Sequence, residues 1–154
     1  MTTPEQRLAE LGIDLPEVRT PAGAYVPAVR TGNLVFLSGA GPLGADGFVT
    51  GKVGTTVDLE RAVEAARLVG LQLLAALRRE VGSLDRVTRI VKLLGMVNCA
   101  PGFNNTPAVI DGCSKLLLDV FGDAGTHARS AVGQAELPFD IAVEIEMVVE
   151  VSDG

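Results

Sequence analysis

The chain contains no tryptophan, one tyrosine (Tyr25), one histidine (His127) and two cysteines in 154 residues. Each scarcity excludes something. Single-stranded nucleic acid is commonly gripped by stacking bases on aromatic side chains, and one Tyr with five Phe offers little of that. Basic residues are also in deficit. Thirteen Lys and Arg face 19 Asp and Glu, for a formal charge of −6. Nucleic-acid affinity rests on neutralising phosphates, so this balance argues against such a partner. Cys99 and Cys113 lack CxxC spacing, and a lone histidine cannot complete a zinc set with them. No disulfide framework is expected, and a reducing compartment fits. The opening MTTPEQRLAELGIDLPE has neither a basic n-region nor an apolar h-region, so no signal peptide is expected. The longest apolar runs fall short of a bilayer span. The expectation is a cytoplasmic, soluble protein with no membrane or nucleic-acid partner.

What is present is aliphatic. Hydrophobic residues make up 47% of the chain, enough to bury a sizeable core in one domain spanning 1–154. Thr2 or Thr3, Pro4 and Gln6 open a short helix that ends near Leu11-Gly12. Tyr25–Val29 and Leu34–Ser38 flank Thr31-Gly32-Asn33 and read as a hairpin. Gly39–Gly54 is a glycine-rich loop. Thr55-x-x-Asp58 starts the longest helix, with Leu59, Ala62, Val63, Ala66, Val69, Leu73 and Leu77 at helical spacing and Gly82 past its end. Val87–Val97 is a buried strand, Asn98–Pro107 a loop, and Ala108–Phe121 a second helix stopped at Gly122. The order β-β-α-β-α-β-β predicts an α+β fold, a mixed sheet with two helices packed on one face.

The last quarter, His127 to Val151, carries the chemistry. Arg129 stands among Ala128, Ser130, Ala131 and Val132. Val143, Ile145, Met147, Val149 and Val151 then alternate with Glu144, Glu146 and Glu150 in a period-2 pattern, a half-buried strand. An arginine offers a rigid fork that matches a carboxylate. Read alone, however, Arg129 is better explained as an interior ion pair with a glutamate of the neighbouring strand. Joining the two strands as a hairpin at Leu137-Pro138-Phe139-Asp140 would place Arg129 opposite Glu150 and Glu144 opposite Ala135. Arg129 and Glu144 would then lie about 20 Å apart along the strands. If both act on one small ligand, the site must be assembled between two chains.

The pattern A-R-S-x-V, then L-P, then V-E-I-E resembles the C-terminal signature of the RidA/YjgF family of small imine deaminases. Ala24-Tyr25-Val26 leading to Gly32–Gly39 is similar to the family's opening strands, and Asp85-Arg86-Val87 to its central one. The likeness covers roughly residues 17 to 151, leaving residues 1–16 as an N-terminal helical extension. It implies a chorismate-mutase-like fold and a homotrimer with the sheets facing inward. It implies hydrolysis of small enamine or imine carboxylates to a 2-oxo acid and ammonia, without a cofactor. It also implies roles: Arg129 holding the ligand's carboxylate, Glu144 positioning or activating water, and Tyr25 and Ser38 lining the cleft. A trimeric binding module for a small carboxylate metabolite is the alternative.

Some features depart from the family or carry no function. The family's asparagine in the second helix has no counterpart near Asp111-Gly112. Ala131 stands where cysteine is frequent, and His127 where proline is common. His127 precedes Arg129 on the same side by alternation, and is read as structural. Cys99 and Cys113 read as small core residues. Gly39-Ala40-Gly41-Pro42-Leu43-Gly44 matches G-x-G-x-x-G, yet no helix begins inside it, so it is rejected as a dinucleotide site.

Overall fold

The structure, a computed structural model, describes residues 1–153. Helix α1 (Pro4–Glu10) is opened by a capping box: the Thr3 hydroxyl accepts from the Gln6 N–H, and the Gln6 side chain accepts from the Thr3 N–H. The helix is pinned to the body. Leu8 is buried, and the Glu5 carboxylate accepts from the Arg78 guanidinium and from the Leu84 N–H.

Strands β1 (Ala28–Thr31) and β2 (Leu34–Ala40) form a hairpin around Gly32, whose φ of 58° favours glycine. A small ribbon, β3 (Leu43–Gly44) and β4 (Gly47–Phe48), follows inside the glycine-rich loop. Helix α2 (Leu59–Val81) is capped by Asp58, which accepts from the Arg61 N–H, and stops at Gly82. Strand β5 is Val87–Asn98 and helix α3 is Thr106–Phe121. Strands β6 (Ala128–Gln134) and β7 (Val143–Val151) complete the chain. Helix α3 begins earlier than Ala108 because Pro107 suits the first turn, where no N–H is needed.

The predicted α+β architecture holds, but the strand order is β1-β2-β7-β5-β6. The expected hairpin of the last two strands does not form. β6 runs parallel to β5, and β7 pairs antiparallel with β5 and β2. The reason lies in burial. Val143, Ile145, Met147, Val149 and Val151 are all at most 1% exposed. Such a continuous apolar face is satisfied in the centre of a sheet, under both helices, and not at its edge. Strand β6, with small and polar residues, takes the edge. The crossover through α3 makes it parallel to β5. At the turn between β6 and β7, Phe139 and Asp140 both adopt positive φ, 57° and 59°.

Helices α2 and α3 cover one face, and Gly112 lets them approach closely. A Cβ there would lie on the Val63 carbonyl group. The other face is open. It presents Val29, Phe36 and Val132 at 40% exposure or more, with Leu94, Met96 and Val148 half-buried beside them.

Candidate functional site

Register assigns each candidate residue to a face. Glu144 pairs with Met96, and Met96 with Val132, all on the open face. Arg129 pairs with Leu93, and Leu93 with Met147, whose side chains are buried under the helices. Arg129 and Glu144 therefore lie on opposite faces. Their rows are about 10 Å apart along the strands, with β5 between them. The conclusion that one chain cannot bring both to a small ligand survives. Its expected cause, the hairpin register, was wrong.

Glu144 sits at one end of the open face, half-buried, against the backbone of Gly39. A Cβ on Gly39 would lie 3.0 Å from the Glu144 Cδ and 3.1 Å from its Cγ, and closer still to Oε2. The carboxyl group thus rests where only glycine leaves room. Burial, and secondarily the charge of Glu146, raise its pKa above the ordinary carboxylate range. A more basic carboxylate is a better proton acceptor near neutral pH.

Ser38 lies beside Gly39. Its hydroxyl donates to the Val26 carbonyl oxygen at 2.6 Å, and its N–H donates to the Pro27 carbonyl oxygen at 2.9 Å. The bonds tie the Ala24–Pro27 segment to this end of the sheet. Tyr25 belongs to that segment and not, as expected, to the first strand. It occupies a bend and is 52% exposed. Pro27 has no N–H to enter the ladder, so pairing begins only at Ala28 opposite Leu37. Glu144 rests on Gly39, the residue after Ser38, and the Ser38 bonds hold the Tyr25 segment at this end of the sheet; Arg129 is apart.

Arg129 has its own surroundings. Its Nη1 donates to Asp111 Oδ1 at 2.7 Å and to the Ser114 hydroxyl at 3.2 Å. Ser114 in turn lies 2.9 Å from His127 Nε2, and His127 Nδ1 lies 2.7 Å from the Gly125 carbonyl oxygen. A carbonyl only accepts, so Nδ1 carries the hydrogen. In the neutral ring Nε2 is then the acceptor and Ser114 the donor. Donation runs from Arg129 to Ser114 to His127 and ends at the Gly125 carbonyl oxygen. It fixes the arginine against α3 and holds the His127 ring between Ser114 and Gly125. Cys113 is buried behind this cluster. Burial pushes its thiol up to about 12, with Arg129 only partly opposing, so no thiolate forms there near neutral pH.

A helical fold partner on one face, an open sheet face and two polar clusters can be compared with known proteins. Residues 5–151 match the family described as YjgF/chorismate mutase-like, putative endoribonuclease. This chain belongs to the YjgF/RidA family. Two relatives show the spread within YjgF/RidA proteins. Protein TCP17 of Trypanosoma cruzi is 41% identical over 148 residues, covering 95% of this chain and 92% of its own length. The 2-iminobutanoate/2-iminopropanoate deaminase of Dermatophagoides farinae is 30% identical over 139 residues, covering 89% and 93%. Among solved structures, an endoribonuclease-labelled protein of Shewanella oneidensis has a TM-score of 0.93 at 31% identity, with 97% and 99% of the two chains covered. E. coli TdcF, solved with bound serine, has a TM-score of 0.60 at 28% identity, covering 89% and 99%.

Within this YjgF/RidA chain, sequence reasoning located Arg129 and Glu144 but missed their partners. Asp111 drew notice only as the place where an asparagine was absent, and Ser114 drew none. Their spacing of i and i+3 on α3 puts both on one helix face, a signal that was available. Gly39 was read as the start of the glycine-rich loop and of its G-x-G-x-x-G stretch, not as the seat of a carboxylate. Rejection of the G-x-G-x-x-G reading is upheld: the end of β2 and β3 occupy that stretch, and α2 starts only at Leu59. No helix among the described residues is long and apolar enough to cross a membrane.

Proposed function

We propose that this protein hydrolyses small imine or enamine carboxylates to a 2-oxo acid and ammonia, at sites formed between copies of the chain in a homotrimer. The observation that carries the reading is Glu144, a half-buried carboxylate of raised pKa seated on Gly39 beside Ser38. In this reading Arg129 of one copy holds the substrate carboxylate, and Glu144 of the next takes a proton from water as its oxygen adds to the C=N carbon. The substrate nitrogen gains a proton. The carbinolamine hydroxyl then gives its proton through Glu144 to the departing nitrogen as the C–N bond breaks, the C=O bond forms and ammonia leaves. An imine carbon is already electrophilic, so positioning and proton transfer supply the catalysis and no cofactor is required. Tyr25 and Ser38 shape the Glu144 side of the cleft. The exposed Val29, Phe36 and Val132 are the surface that the other copies cover. The deaminase of Dermatophagoides farinae and the serine held by TdcF support a small carboxylate ligand.

One observation favours a second reading, a trimer that binds a carboxylate metabolite without converting it. Arg129 and Glu144 lie on opposite faces of the sheet, so a carboxylate held by Arg129 has no base of the same chain beside it. A coupled assay separates the two. An amino-acid oxidase generates 2-imino acids in situ, and their loss is followed with wild type, Arg129→Ala and Glu144→Gln. Acceleration by wild type that disappears in both variants supports deamination. No acceleration across several imino acids, with a 2-oxo acid still bound, supports the binding module.

A further inference from the structure

We infer that Asp111 and Ser114 are positioning residues for Arg129, gripping one corner of its guanidinium so that the opposite edge stands ready for a carboxylate. This rests on the reading of Arg129 as the carboxylate holder. Nη1 carries two hydrogens. One goes to Asp111 Oδ1 at 2.7 Å and the other to the Ser114 hydroxyl at 3.2 Å. Nε and Nη2 have no acceptor among the described residues, and both keep contact with solvent. Their hydrogens run side by side and match the two oxygens of one carboxylate. That edge faces away from Nη1. A ligand held on it therefore does not touch Asp111, whose part is to set the direction of the fork.

The grip is built from two elements. Asp111 and Ser114 are three residues apart on α3, so they share the helix face that meets β6. Ser114 is itself fixed. It is 8% exposed, its hydrogen goes to His127 Nε2, and the His127 ring is held by the Gly125 carbonyl oxygen. Its oxygen is left to accept from Arg129. A long side chain on an edge strand otherwise loses the freedom of several rotatable bonds when it takes a ligand, and here the fold has already removed that freedom. Asp111 also acts in the opposite sense, since its negative charge reduces the pull of Arg129 on an anion. Position and charge thus give opposite consequences for its removal. Asparagine keeps an oxygen for Nη1 and drops the charge, whereas alanine drops both.

The test is calorimetric titration of the full chain with pyruvate, a plain 2-oxo carboxylate. Asp111→Asn is expected to bind it as tightly as wild type or up to about threefold tighter. Asp111→Ala is expected to bind at least about tenfold more weakly, the scale of one charged hydrogen bond. The Asp111 side chain is 44% exposed and alanine suits a helix, so this variant is expected to fold. Ser114→Ala, which keeps the charge and removes the other acceptor, should weaken binding by about threefold. Each variant is melted alongside. Asp111→Ala binding as tightly as wild type overturns the inference, because charge would then outweigh position. So does Asp111→Asn falling as far as alanine, or a set of losses that only tracks lowered melting temperatures. No pyruvate bound by wild type, or Arg129→Gln binding as well as wild type, overturns the reading of Arg129 and the inference with it. Absence of imine turnover with this pattern intact overturns only the deaminase reading.

Discussion

Replacing Gly39 by alanine tests whether the seat of Glu144 matters. The added Cβ would stand 3.0 Å from Cδ and 3.1 Å from Cγ, with Oε2 closer still. Carbon atoms in comfortable contact are about 3.5–4.0 Å apart, so the carboxyl group must retreat by close to 1 Å. Gly39 does not adopt a positive φ, so the backbone accepts alanine. Only the end of one side chain has to move. Relieving glycine's entropy in a strand returns about 0.5–1 kcal/mol, which offsets much of the strain. Stability should therefore change by less than about 1 kcal/mol. Activity should not be spared. A 1 Å misplacement of a catalytic group costs about 100-fold, or about 2.7 kcal/mol of barrier. The measurement pairs imine turnover by the variant with its thermal melt. Full turnover in Gly39→Ala would refute the argument, since Glu144 would then need no fixed seat. So would a loss of turnover that only accompanies unfolding.

Three further outcomes follow from the packing and the charges. Glu144 has a raised pKa, so the folded state favours its protonated form. The resulting destabilisation is absent below the ordinary glutamate pKa, grows as pH rises towards the folded value and is complete above it. Glu144→Gln should accordingly melt at or above the wild-type temperature at pH 7, with the difference vanishing in acid; the opposite trend across a series of melts would contradict the burial. Gly112→Ala should destabilise by about 1–3 kcal/mol, because its Cβ would overlap the Val63 carbonyl and force α2 from α3, despite alanine's better helix propensity; a denaturant midpoint equal to wild type would show that the helices yield freely. Glu5→Ala should cost about 1–2 kcal/mol by removing the partner of Arg78 and of the Leu84 N–H, and protease cleavage should rise ahead of β1.

Local pattern made most of the fold legible. Thr3, Asp58 and Gly82 mark helix ends by hydrogen bonds to their own neighbours, and the structure places them there. The alternation from Val143 to Val151 named both faces of β7 correctly. Partnership between strands was not legible, because it depends on what must be covered. The chain-adjacent pairing of β6 and β7 lost to the need of β7 for neighbours on both edges and helices above. The site followed the same division. Arg129 and Glu144 stood out as charges in apolar or alternating surroundings. Asp111 and Ser114 looked like ordinary helix residues, since their meaning depends on β6 lying against α3, a contact set by the crossover. The seat on Gly39 arises from a bulge between Leu37 and Ala40 opposite β7, which no local spacing announces.

Opposite faces for Arg129 and Glu144 lead to a test of the composite site. In a cyclic trimer each interface would take Arg129 from one copy and Glu144 from the next. Arg129→Ala and Glu144→Gln would each be inactive alone, because every interface lacks one group. Mixed in equal amounts and allowed to exchange, an interface works only when the copy supplying arginine is the Glu144 variant and its neighbour is the Arg129 variant. Random mixing gives that arrangement at about one quarter of interfaces, so about one quarter of wild-type turnover should return. A site within a single chain gives none, since no chain carries both groups. Recovery must also depend on subunit exchange: the two variants assayed immediately after mixing should stay inactive, and activity should rise with incubation. Its absence after exchange is verified, by mass spectrometry of isotopically labelled copies, would rule out a site that pairs Arg129 of one copy with Glu144 of the next.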